Sequence, residues 1–445
     1  MSKFFDFVNG FNFKDAPIST QLLIKNSLLD IIGVVAAAKD NNTNVKLRNF
    51  VLEQYPKGDL GARILFDGRV ISPLGAAWAG GFAADSLDAH EGHFLSKGHA
   101  GATVVPGLLS LIDAYKEGGK SVSGEEFLSL LTIAYETSLR AGVALMNSAS
   151  DYHASGAFSG IGLAAAGARA LNLKQDALFH ALGIAEYFAP RCPMMRLVDH
   201  PTNLRDAHGA GAFSGMNALM MAKNGVTGAP ADLIFAESSA SAWRTLWAEW
   251  EIDNQYFKPW PVCRWAQPAL TAVEAMLELD ANIREPNIES ITIKTFHESM
   301  RLQGHQPSNA DEAQYGLAFP VAAMICHGQL GPKQVSDEAV FDERVLALCS
   351  RIHIVESEEL SNRFPAEILS IVEITLSDGA VIKSPISQAK GDPNTAMTKE
   401  DIIQKFIQYT SPMMSVDLQN ALIEEVYSLE QRPDVSRLLD LITRN

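Results

Sequence analysis

The chain has 445 residues, 47% of them hydrophobic, and a formal net charge of −16. That length exceeds one ordinary core and predicts two domains, and the apolar content excludes a disordered chain. The negative balance argues against nucleic acid, whose phosphates would be repelled, but leaves room for a local cationic pocket that takes a small anion. The four cysteines, Cys192, Cys263, Cys326 and Cys349, are widely spaced with no Cys-x-x-Cys. That pattern points to reduced thiols and a cytoplasmic protein. The N-terminus lacks a basic leader, and the apolar run Ile31–Ala38 is shorter than the roughly 20 residues a membrane span needs, so no membrane partner is expected.

Apolar residues at helical spacing (Leu22, Leu28, Ile31, Val35) predict a helix over 17–39. Helices follow over 101–118 and 124–146, the second opened by Ser123 as N-cap with Glu125 and Glu126 in its first turn. The Ala/Gly-rich segments 155–171 and 207–223 predict helices whose backbones approach closely, the latter stopped by Asn224-Gly225. Near residue 255 the texture changes. Ile288–Phe296 is β-branched and partly alternating, and Ile371–Leu376, Asp378-Gly379 and Ala380–Lys383 predict a hairpin. Apolar helices are expected over 316–327 and 338–349 between them. After Gly391-Asp-Pro-Asn394, Thr398 and Asp401 form a capping-box variant before a helical C-terminus. The expected fold is mainly α: a large all-helical domain (1–254 plus 392–445) with an inserted α+β lid (255–391).

Chemistry-bearing residues concentrate between Asp85 and His99, where Asp88, His90, Glu91 and His93 also lie, amid small apolar neighbours. Such side chains are costly to bury without partners, which suggests an acid–base site between packed helices. His90-Glu-Gly-His93 with Asp88 has metal-ligand residue types, but is one residue short of His-Glu-x-x-His. Proton transfer is the preferred reading, with Asp88 orienting a histidine and His99 exchanging a proton with substrate. His153 precedes a helix N-terminus, where backbone N–H groups favour anions. Arg205 and His208 flank another small-residue helix, and Arg205 suits a carboxylate. Gly209-Ala-Gly-Ala-Phe-Ser-Gly215 is no dinucleotide loop, because no strand precedes it. Pro259 and Pro261 stiffen the segment carrying Lys258, Cys263 and Arg264. Cys263 has no identifiable base.

Taken in order, these segments resemble the MmgE/PrpD family. The landmarks are Leu87-Asp88 with His99–Pro106, His153–Phe158, Arg205–Ala210, Phe257–Arg264 and Ala313–Ala323. The resemblance implies a helical domain with an α+β lid, a homodimer, an interdomain cleft, and catalysis without metal or organic cofactor. By position it implies Asp88, His99, His153 and Lys258 as catalytic-pocket residues. The chain departs from the family pattern at Arg205, where Lys is frequent, and at Phe319, where a tyrosine is frequent. Family activities include 2-methylcitrate dehydratase, cis-aconitate decarboxylase and iminodisuccinate epimerase. The expected chemistry is removal of a proton next to a carboxylate, with the developing charge held by preorganised cations. Arg205, Lys258 and Arg264 are expected to clamp a small anionic carboxylate, with His93 and His208 beside it, and His99 or His153 to act as base. Dehydration of a hydroxy di- or tricarboxylate is the first expectation. Epimerisation, decarboxylation and a non-catalytic dimeric carboxylate-binding protein follow.

Overall fold

A computed structural model of the chain describes residues 2–444. The protein is mainly α, 59% helical and 9% strand. The helical part is built on α1 (Ile18–Ala38), α2 (Pro73–Asp85), α3 (Gly101–Glu117), α4 (Gly124–Ser148), α5 (Gly156–Ala170) and α6 (His208–Lys223). Ser123 caps α4 by accepting from the Glu126 N–H, and Ser72 caps α2 by accepting from the Gly75 N–H. The small-residue faces let α2 and α5 each lie close against α6. A Cβ on Gly160 of α5 would stand 2.6 Å from the Gly211 carbonyl oxygen, and one on Gly81 of α2 would stand 2.9 Å from that of His208. Only glycine permits either approach.

Helix α1 spans 21 residues and reaches a mean hydropathy of 1.5, so it is long and apolar enough to cross a membrane. The expectation based on the short run Ile31–Ala38 missed this. Yet 78% of its apolar window is buried within the fold, between α2 and the C-terminal helices.

The smaller part is a layered α+β unit. Helices α7 (Gln267–Leu279) and α8 (Ala318–His327) pack together, and α7 lies on a sheet of strands β1 (Ile288–Thr295), β2 (Ile352–Glu356), β3 (Leu369–Leu376) and β4 (Val381–Lys383). The sheet order is β2-β1-β3-β4, with β2 parallel to β1 and the other neighbours antiparallel. Ser370, Val372, Ile374 and Leu376 alternate into the core along β3, as the two-residue strand period requires.

Two apolar cores result. One runs from Phe4 to Phe257 and resumes over Ile402–Ile442; the other holds Trp260–Leu376 and borrows Leu197 and Val198 from the helical part. Helix α9 (Lys399–Thr410) returns to α1, and Lys405 pairs with Asp30 at 2.6 Å. The two connections to the lid run side by side, the Phe257 N–H donating to the Gly391 carbonyl at 3.0 Å.

Candidate active site

The site forms where the loop between α2 and α3 meets the chain entering the lid. Gly92–His93 pairs antiparallel with Gln255–Tyr256, in the register Gly92↔Tyr256 and His93↔Gln255. This two-residue ladder sets Lys258 beneath the loop. Asp88 takes a left-handed conformation (φ 47°), and its Oδ1 accepts from Lys258 Nζ at 2.5 Å. Lys258 is fully buried, so it holds Asp88 from behind rather than facing the cleft.

The cleft encloses about 80 Å³. Asp88, His93, Lys97, His99, Tyr152, Asp206, Tyr256, Arg264 and Tyr315 supply its polar wall; Phe94, Met194, Val198, Trp265, Phe364 and Ile368 supply an apolar one. That mixture suits a small ligand fixed by a few polar groups.

His99 is the best-oriented of these groups. Its Nδ1 lies 2.5 Å from the Glu91 carbonyl, which can only accept, so the ring proton sits on Nδ1. Nε2 keeps its lone pair and stands 3.5 Å from Asp206 Oδ2. Ser155 links the two, its Oγ accepting from the His99 N–H at 3.0 Å and donating to Asp206 Oδ2 at 3.2 Å. Burial, reinforced by the Lys258 charge, holds His99 well below the usual imidazole range. Burial, then the Asp88 charge, pushes Asp206 up to about 7. Both shifts favour the uncharged pair, with neutral imidazole beside carboxylic acid. Glu91, which positions His99 through its backbone, is pushed up to about 8 by burial and then by Asp30, and its Oε1 accepts from the Gly101 N–H at 2.9 Å.

Arg264 is the cation available to an anionic ligand. It lies over the Tyr256 ring at 3.7 Å and is paired with Asp392. Among the described residues its Nε and Nη1, both buried, have no hydrogen-bond partner. Lys97 adds a second charge at the wall, held over the Tyr152 ring at 3.7 Å.

Other expected residues lie elsewhere. Arg205 is not in the cleft lining: Nη2 pairs with Asp311 at 2.5 Å, and Nη1 donates to Gln314 Oε1 at 2.8 Å and to the Asp85 carbonyl at 3.2 Å. With its charge met by Asp311, it is a structural cation on a different cavity. His153 is half-buried beside the lining residue Tyr152, its Nδ1–H donating to the Asp151 carbonyl at 2.9 Å. His208 is buried outside the lining, 2.9 Å from Thr103 Oγ1. His93 does line the cleft, but its ring turns toward Glu251 at 3.2 Å and so parts from His90, which faces Asp85 at 3.6 Å. Phe319 is fully buried in the lid core, and Tyr315 lines the cleft instead. Absence of a tyrosine at 319 therefore removes no hydroxyl from the cleft. Sequence reasoning missed Asp206, although it lies between Arg205 and His208 in a segment already singled out. It also missed Tyr256, whose position follows from the ladder with Gly92.

Sequence models of the MmgE/PrpD N-terminal domain and C-terminal domain match residues 2–252 and 260–431. The chain belongs to the MmgE/PrpD family. The second match runs beyond the lid into Ile402 and Leu422, which pack in the helical core. Among curated relatives, a cis-aconitate decarboxylase-like protein of Aspergillus oryzae is 23% identical over 410 residues, covering 84% of this chain and 83% of its own. Human cis-aconitate decarboxylase is 25% identical over 404 residues, covering 84% and 80%. The mitochondrial 2-methylcitrate dehydratase of Yarrowia lipolytica is 27% identical over 199 residues, 40% of this chain and 37% of its own. These family members support an enzyme.

Proposed function

We propose that the protein is a lyase that dehydrates a small hydroxy polycarboxylate by removing the proton next to a carboxylate. The observation that carries this reading is the His99–Asp206 pair, 3.5 Å apart in the cleft wall, with the His99 proton anchored on the far nitrogen. His99 Nε2 takes the α-proton as the C–H electron pair moves into the carboxylate to form an enolate. The Arg264 guanidinium in the cleft wall holds that developing charge. The electron pair then forms the carbon–carbon double bond, the β C–O bond breaks, and the hydroxyl leaves as water with a proton from Asp206. Lys97 matches a second carboxylate at the wall. Lys258 is a positioning residue that acts through Asp88.

Decarboxylation is the second reading, favoured by the Aspergillus oryzae and human relatives described as cis-aconitate decarboxylases or similar to them. Proton NMR of the purified protein in heavy water with citrate-like and malate-like compounds separates the two. A vinyl signal growing as a hydroxy acid disappears supports dehydration. Dicarboxylate product signals replacing those of an unsaturated tricarboxylate support decarboxylation. α-Deuteration with no turnover contradicts both.

A further inference from the structure

Outside the cleft lining, three buried side chains from separate elements bring together ligand atoms that the protein leaves unsatisfied. Asp85 ends α2, His90 lies in the loop that follows, and His208 opens α6. Asp85 is 2% exposed, and both histidines are fully buried. One ligand atom from each lies within 4.8 Å of the others, with His90 Nε2 3.6 Å from Asp85 Oδ1. Among the described residues, Asp85 Oδ1, His90 Nε2 and His208 Nε2 all lack a hydrogen-bond partner.

The hydrogen bonds around them fix what they offer. His90 Nδ1 lies 3.3 Å from the Glu91 carbonyl, an acceptor only, so the proton is on Nδ1 and Nε2 carries a lone pair. His208 Nδ1 lies 2.9 Å from Thr103 Oγ1, which also meets Ser159 Oγ at 2.7 Å and the His208 carbonyl at 3.3 Å. When the Thr103 hydrogen goes to either of those oxygens, His208 donates from Nδ1 and its Nε2 carries a lone pair. Asp85 Oδ2 accepts from the His208 N–H at 3.3 Å, which orients the carboxylate. With that arrangement and Asp85 ionised, three acceptors converge with no donor among them. A water molecule has two hydrogens and leaves one acceptor unmet; a cation satisfies all three at once.

We propose that Asp85, His90 and His208 bind one divalent transition-metal ion of the zinc, cobalt and nickel class. Two neutral imidazoles and one carboxylate suit such ions, and ring nitrogens whose other N–H is anchored are the usual ligands. Ligands about 2.1 Å from a tetrahedral ion stand roughly 3.4 Å apart, close to the His90–Asp85 separation. The nearby Lys258 charge is met by Asp88. The ion ties α2, the site loop and α6 together behind His99, whose ring meets that of His90 edge-on at 4.3 Å. This differs from the expectation of a metal-free protein, and it stands independently of the proposed reaction.

The test is metal content and cobalt spectroscopy on the full-length protein. After loading with Zn²⁺ and desalting, the wild type should retain about one ion per chain by elemental analysis, and its melting temperature should rise on loading. With Co²⁺ it should show visible bands of nitrogen and oxygen ligation. Asp85→Asn and His90→Gln should each lose the retained ion, while His180→Gln, at a partly exposed histidine on another helix, should keep it. Retention below about a tenth of an ion by the wild type, with no cobalt band and no melting shift, overturns the site and leaves a proton as its occupant. Binding undiminished in folded His90→Gln overturns it as well. If a variant fails to fold, the wild-type retention and cobalt spectrum decide alone.

Discussion

Replacing Lys258 by Met tests the buried support of the site. The Lys258 ammonium is fully buried and meets Asp88, itself 3% exposed, at 2.5 Å. Removing it strands a carboxylate in the interior, and breaking such a pair costs about 3–5 kcal/mol. Unfolding entropy near 2.1 cal/mol/K per residue, applied to 445 residues, gives about 0.9 kcal/mol per degree. The melting temperature of Lys258→Met should therefore fall by about 4 °C in differential scanning calorimetry. Adding Asp88→Asn removes the stranded charge, so the double variant should recover most of that loss. Turnover should not recover, because the orientation of Asp88 in the cleft is lost in both. A melting temperature of Lys258→Met within about a degree of wild type would refute the reasoning. So would a double variant less stable than the single one.

Other outcomes follow from single contacts. Gly81→Ala forces a methyl to 2.9 Å from the His208 carbonyl; it should destabilise by about 1–3 kcal/mol, and an unchanged melting curve would show that α2 and α6 can part freely. Arg264→Lys keeps a charge opposite Asp392 but loses the planar guanidinium of the cleft wall. KM for any turned-over carboxylate should rise about tenfold or more, and an unchanged KM would remove Arg264 from substrate binding. Burial, then Asp88, pushes the Cys263 thiol up to about 12, so at pH 8 only about one molecule in 10⁴ holds the thiolate. Iodoacetamide followed by peptide mass mapping should modify the half-buried Cys192 and spare Cys263; rapid labelling of Cys263 would contradict its burial.

Elements with a local signal were legible before the structure. The Ser123 cap, the Thr398–Asp401 box and the Asp378-Gly379 turn each bind their own neighbours in sequence, and each appears within a residue or two of its expected place. Placement of site residues depends on contacts between distant segments, which leave no local trace. The residue types around Asp88 and His99 marked the site loop, but not that His90 and His93 face opposite partners. Arg205 has the chemistry of a carboxylate clamp, and only the position of Asp311 reveals that its charge is already met. Asp206 was overlooked because its meaning comes from His99, over a hundred residues earlier. Phe319 drew attention as a departure, yet it lies on the core face of α8, whereas Tyr315 precedes that helix and reaches the cleft.

In the proposed mechanism His99 removes the α-proton in the cleft. The most direct test is the rate of substrate α-deuterium exchange in heavy water, followed by NMR for the wild type and His99→Asn. Wild-type protein should exchange and turn over, while folded His99→Asn should lose about 10²–10⁴-fold in exchange with its melting temperature kept. Exchange by His99→Asn at the wild-type rate would contradict the account and move the base to another residue of the cleft.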